Sequence, residues 1–199
     1  MIHPVTATNR AIGRLSIAAV AVLALAGACG DLTGVPASLS TLTDSGTVFA
    51  LNGAPANAPT ALHLFSGTRL AADASFFFDI AFDIDATGNP VILPQRVVAS
   101  GLASTHSVGL QHVATEFSQL AEAPKNGFRA DTALVTAVGR TVVIQSQDIN
   151  ACSISVTGTT IVAKLVVLSV DRDARKMSIQ YTVDPNCGFL SFLPGVPKD

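Results

Sequence analysis

From Gly46 onward the chain consists of short apolar runs separated by turn residues, and several runs alternate apolar and polar positions. A period of two places successive side chains on opposite faces of a strand. Strands are predicted over 47–51, 61–65, 75–85, 91–99, 132–138, 141–147, 153–156, 160–170 and 177–183. In the third, Phe76, Phe78, Ile80, Phe82 and Ile84 face one way, while Phe77, Asp79, Ala81, Asp83 and Asp85 face the other. The nearly continuous apolar run from Ile161 to Leu168 predicts a central strand covered on both faces. Turn residues at 86–89, 139–140 and 171–176 favour antiparallel pairing of the runs they join. One stretch changes period. Leu110, Val113, Phe117, Leu120 and Ala121 recur at helical spacing until Pro124 and Asn126-Gly127, which predicts a helix of about three turns. The expected fold is mainly β, a single antiparallel β-sandwich-like domain with one short α-helix.

The first residues follow a different pattern. Arg10 and Arg14 precede an uncharged run of 14 residues, Leu15 to Ala28. That run is shorter than the roughly 20 apolar residues of a membrane span and matches the apolar core of a secretory signal peptide. It ends in Leu25-Ala26-Gly27-Ala28-Cys29. These residues resemble the lipobox of bacterial lipoprotein precursors, with Ala26 standing where Leu is usual. The resemblance implies removal of residues 1–28 and lipid attachment at Cys29, hence an anchor in the cell envelope. It also implies a weak preference for the outer membrane, since Gly30 rather than Asp follows Cys29. The expected organisation is a signal peptide over 1–28, a flexible tether over 29–45 and the β domain over 46–199.

Composition sharpens this division. Charged residues make up only 13% of the 199, against about 25% in an ordinary soluble domain. Loss of the leader removes Arg10 and Arg14 and leaves ten basic residues against 14 acidic ones. The low charge therefore belongs to the mature body, where 31 Ser and Thr take its place and suit strands better than helices. No basic surface invites nucleic acid. Two cysteines remain beside Cys29. An oxidising envelope permits a disulfide, and Cys152 and Cys187 flank the last strand pair, so a bridge between them is expected.

Reactive constellations are weak. Asp83, Asp85, Thr87 and Asn89, with Gly88 in the sixth place, imitate half of a calcium loop, but Pro94 stands where the closing Glu belongs. Asp79 and Asp83 on one strand face would lie about 13 Å apart, too far for a glycosidase pair. His112 and Glu116 share a face of the predicted helix, and His63 or His106 could join them only through tertiary contact. No serine elbow or phosphate loop is present in the sequence. Arg172, Arg175 and Lys176, interleaved with Asp171 and Asp173, read as a soluble hairpin tip, and Phe77 reads as core packing. No metal or cofactor is expected. The expected protein is a non-enzymatic, lipid-anchored envelope module that contacts the membrane through its lipid and binds an envelope protein or surface ligand. A secreted hydrolase or metal-dependent enzyme with a scattered site, or a carrier of an apolar ligand, are the alternatives.

Overall fold

The computed structural model describes residues 36–73, 77–100, 106–148, 151–153, 155 and 158–198. Among them run β1 Leu42–Phe49, β2 Ala61–His63, β3 Thr68–Leu70, β4 Ile80–Ile84, β5 Pro90–Pro94 and β6 Ser107–His112. The order continues with β7 Arg129–Ala130, β8 Leu134–Val135, β9 Thr141–Gln147, β10 Thr160–Asp171 and β11 Lys176–Asp184. A single helical turn, α1 Gln95–Val98, follows β5. The strands form two antiparallel sheets, β1-β11-β10-β9-β6-β7 and β3-β2-β4-β5-β8. The mainly β, sandwich-like single domain with one short helix is therefore what the described residues adopt.

The core lies between the sheets and draws on both. Val142, Ile144, Leu165 and Ile179 from the larger sheet meet Leu62, Ile80, Phe82 and Ile92 from the smaller, all without exposed surface. At about 25 cal/mol per Å² of apolar area, each such side chain contributes about 1.5–3 kcal/mol. The central strand β10 is covered on its outer face too, where Val162 and Val143 pack against Ala123 and Phe192. Two segments supply that cover, 113–128 and the chain after β11. They are joined by Ala123 N–H to Leu190 O (2.8 Å) and Phe192 N–H to Ala121 O (2.7 Å).

The helix expected over 110–121 does not form. Residues 107–112 are β6, paired with β9 in the register Leu110↔Ile144, and Val108 and Leu110 point into the core. Beyond His112 the chain makes one hydrogen-bonded turn from Glu116 to Gln119 and Leu120. Val113 and Leu120 then rest on the outer face of the sheet. Two overlapping patterns, a strand and a strap, together imitated one helical period. His112 and Glu116 consequently share no helix face. The turn at Gly139-Arg140 does not join a strand pair within one sheet either, because β8 belongs to the smaller sheet and β9 to the larger.

Two further boundaries move. Strand β1 begins at Leu42 rather than 47, an edge strand paired with β11 alone over eight positions. Ser38, Leu39 and Thr41 are already bonded to the body: the first two amides donate to Oδ1 of Asn186 and the third to Gly195 O. Residues 38–45, expected as part of a flexible tether over 29–45, are thus joined to the β domain. Residues 151–153, at the start of the expected strand 153–156, are in turns.

The β10–β11 hairpin tip folds back onto the smaller sheet. Arg175, with φ of +47°, places its guanidinium 2.8 Å from Asp83 Oδ1 and donates to Asn52 O at 2.5 Å. Asp83 is paired, and Asp85 is spent on its own turn. Its Oδ1 accepts the amides of Thr87 and Asn89 and the Thr87 hydroxyl at 2.7–2.9 Å. Those bonds, led by the Asn89 amide, hold the Asp85 carboxyl down at about 2. The calcium-like spacing is the signature of this turn.

Candidate functional site

The residues with the most chemistry gather at the opposite end of the sandwich from the hairpin tip. They lie where β4 begins and β6, β9 and β10 start or finish. Alternation in the segment before β4 fails at Asp79, where the chain bends. Phe78 packs with Ala61 and Ala81 on the outer face of the smaller sheet instead of with Ile80 and Phe82. Asp79, expected on a solvated face, turns inward and is 2% exposed.

There it meets two side chains of the larger sheet. Its Oδ1 accepts the hydroxyl of Ser146 at 2.5 Å and lies 2.7 Å from Nε2 of His106. Its Oδ2 accepts the amide of Leu64 at 2.6 Å. Ser146 and His106 are 3.0 Å apart, and Nδ1 of His106 faces Asp148 Oδ2 at 3.8 Å. Asp148 also accepts the Ala151 amide at 3.0 Å, linking the cluster to the turn that carries Cys152.

The electrostatics follow from burial and pairing. Burial opposes the charge of Asp79, but the hydrogen bond and charge of His106, the Ser146 hydroxyl and the Leu64 amide outweigh it and hold its pKa below 3.8. Burial likewise opposes a charged His106. The hydrogen bond and charge of Asp79, then the charges of Asp148 and Asp131, prevail and raise its pKa above 6.5. An imidazolium–carboxylate pair is the state this geometry favours.

Ser, His and Asp here do not form a nucleophilic triad. A serine nucleophile gives its proton to the imidazole, whose other nitrogen is held by the carboxylate. Here Asp79 and Ser146 meet the same ring nitrogen, the Ser146 proton goes to the carboxylate, and Ser146 has no exposed surface. The arrangement is a polar clasp between two sheets, and as closed it has no room for a substrate at Oγ.

The other histidines among the described residues, His63 and His112, make no bond to it. His63 holds Ser66 Oγ at 2.9 Å through Nδ1 and stacks on Phe77 with ring centroids 4.3 Å apart. Phe77, read from sequence as core, is 64% exposed. His112 carries a buried Nε2 without a hydrogen-bond partner, and burial followed by the charge of Arg140 lowers its pKa. Cys152 and Cys187 are joined in a disulfide with their Cα atoms 5.7 Å apart. Cys29 lies outside the described residues.

Of the residues that carry the clasp, Ser146 went unnoticed in the sequence, though it had a signal. Ser146 shares the inward face of β9 with Val142 and Ile144, and a hydroxyl on an apolar face demands a partner. Nothing local marked His106. The same end holds a second tie, where the Tyr181 hydroxyl lies 2.7 Å from Gly67 O and 3.1 Å from Asp44 Oδ2. Arg69 pairs with Asp44 at 3.1 Å. No protein-family model, curated protein or solved structure matches the chain.

Proposed function

We propose that the chain is the precursor of a lipid-anchored cell-envelope protein whose mature body is a non-enzymatic binding or structural module. The observation that carries this reading is the division of the three cysteines. Cys152 and Cys187 form a disulfide, a bond that persists in oxidising compartments and is rare in a reducing cytosol. The third, Cys29, follows a leader whose last residues resemble a lipobox, with Ala26 where Leu is usual. Several acyl chains on one residue anchor a protein stably where one chain would not. The buried state of Ser146 and the pairing of Asp83 and Asp85 leave the described polar clusters with structural work, which supports a module more than a hydrolase.

The experiment is expression in a bacterium with radiolabelled palmitate, comparing the wild type with Cys29→Ala. Label and membrane association should both vanish in the variant. Membrane association that survives the substitution defeats the lipid anchor, and labelling of Ser146 by a fluorophosphonate probe defeats the non-enzymatic part.

A further inference from the structure

Ten large apolar side chains among the described residues stand well exposed, and six of them surround the point where the described chain begins. Leu39 and Phe65 line one groove of about 220 Å³ together with Pro36 and Phe189. Leu42 lies against Gly67, so close that a Cβ there would overlap its Cδ2. Phe77 stacks on His63, which is bonded to Ser66 in the same turn as Phe65. Thr41 bonds the carbonyls of Leu193 and Gly195, bringing exposed Leu193 and Val196 to the same rim. Of the nearby charges, Asp44 and Arg69 neutralise one another, and Glu122, Lys125 and Lys198 line the pocket beside Leu193. This rim is apolar and carries little net charge.

Six residues separate Cys29 from Pro36, and the seven steps between them reach at most about 25 Å when fully extended. Strand β10 alone, with 12 residues, is about 40 Å long. A lipid on Cys29 would therefore hold the Pro36 end of the sandwich near the bilayer, while the hairpin tip at 171–176 points away. We propose that this end of the domain rests on the bilayer that holds the anchor, with Phe65, Phe77 and Leu42 reaching the boundary between headgroups and acyl chains. The inference rests on the lipid-anchor reading above. A patch of this kind is weak alone, but a short tether gives it a high effective concentration at the membrane. With little net charge to direct it, the contact is made mainly by apolar insertion and persists in high salt.

The chain contains no tryptophan, so one introduced Trp reports its own surroundings. The test uses the full lipidated protein in phosphatidylethanolamine–phosphatidylglycerol vesicles containing lipid brominated on its acyl chains. Phe65→Trp should be quenched at least about twofold more than Leu168→Trp, which sits near the far end of β10. Adding Leu39→Ser and Phe77→Ser to Phe65→Trp should remove the difference while near-native disulfide content and circular dichroism persist. Equal quenching of the two reporters, with lipid on Cys29 shown by mass spectrometry, overturns the docking alone. Protein recovered in the soluble fraction with unmodified Cys29 overturns the anchor reading and the docking with it.

Discussion

Asp79 and His106 meet at 2.7 Å across the gap between the two sheets, one just ahead of β4 and the other just ahead of β6. The contact is one of several polar ties between layers held mainly by apolar packing, and its charges respond to pH in opposite senses. The folded pKa of His106 is raised above 6.5, so its contribution is complete below that value and is lost as pH rises through the folded pKa. The folded pKa of Asp79 is lowered below 3.8, so its contribution is present above that value and is lost as pH falls through the folded pKa.

Stability should therefore be highest in mildly acidic solution and decline toward alkaline pH. His106→Gln should flatten the alkaline decline, and Asp79→Ala should cost about 3–5 kcal/mol, as expected when one partner of a buried pair is removed. Thermal unfolding of the three proteins from about pH 5 to about pH 9 measures both effects. A wild-type melting temperature that climbs through neutrality, with His106→Gln following the same curve, contradicts the assignment.

Asp184 offers the opposite case. It is fully buried, its Oδ1 accepts two bonds from Asn186, and its Oδ2 has no hydrogen-bond partner. Burial outweighs the Asn186 bonds and raises its pKa above 3.8, so the charged form weakens the fold as pH rises past that value. Asp184→Asn should leave stability at pH 7 unchanged or higher by up to about 1 kcal/mol. Asp79→Asn should lower it, so urea titrations of the pair separate the two carboxylates.

Lys164 pins the strap over the larger sheet. Its ammonium donates to Phe117 O at 2.7 Å and Leu120 O at 2.8 Å and lies 4.7 Å and 5.5 Å from the ring centroids of Phe117 and Phe192. Lys164→Ala removes the donor and leaves two carbonyls to find new partners, at a cost of about 1–3 kcal/mol. Hydrogen exchange should quicken first at the amides of 117–123 while those of β9 to β11 stay protected. Uniform loss of protection would mean that the strap is not a separate unit.

Reduction of the Cys152–Cys187 bridge, which closes a separation of 35 residues, should cost about 3–4 kcal/mol by the loop-entropy relation. Urea unfolding of the wild type and of Cys152→Ser/Cys187→Ser, each with and without dithiothreitol, tests this. The reductant should shift only the wild type. A double variant as stable as the oxidised protein would leave the bridge without a stabilising role.

Much of the larger sheet was legible before the structure. Strand β9 falls on the residues predicted, and β10 and β11 come within a residue of theirs, because long apolar runs around a turn leave one register open. Residues 42–46 of β1 escaped because this edge strand is exposed over most of that stretch and needs no alternation there. The clasp escaped for a more general reason. A single bend at Asp79 reverses the facing of one residue, and period-two reasoning carries no information about where a strand stops being regular. His106 and Ser146 are 40 residues apart and meet Asp79 only once both sheets exist.

The Asn186 side chain has a mechanical consequence. Its Oδ1 accepts the amides of Ser38 and Leu39, and its Nδ2 donates to Leu39 O at 2.8 Å. The next residue is Cys187 of the disulfide. A pull on the chain ahead of Pro36 thus reaches this one amide group before it reaches the β1–β11 ladder. It is then shared with a covalently closed loop that cannot unravel while the bridge is intact. Traction would be taken up first at the root, by Asn186 and by the bonds of Thr41 to Leu193 and Gly195.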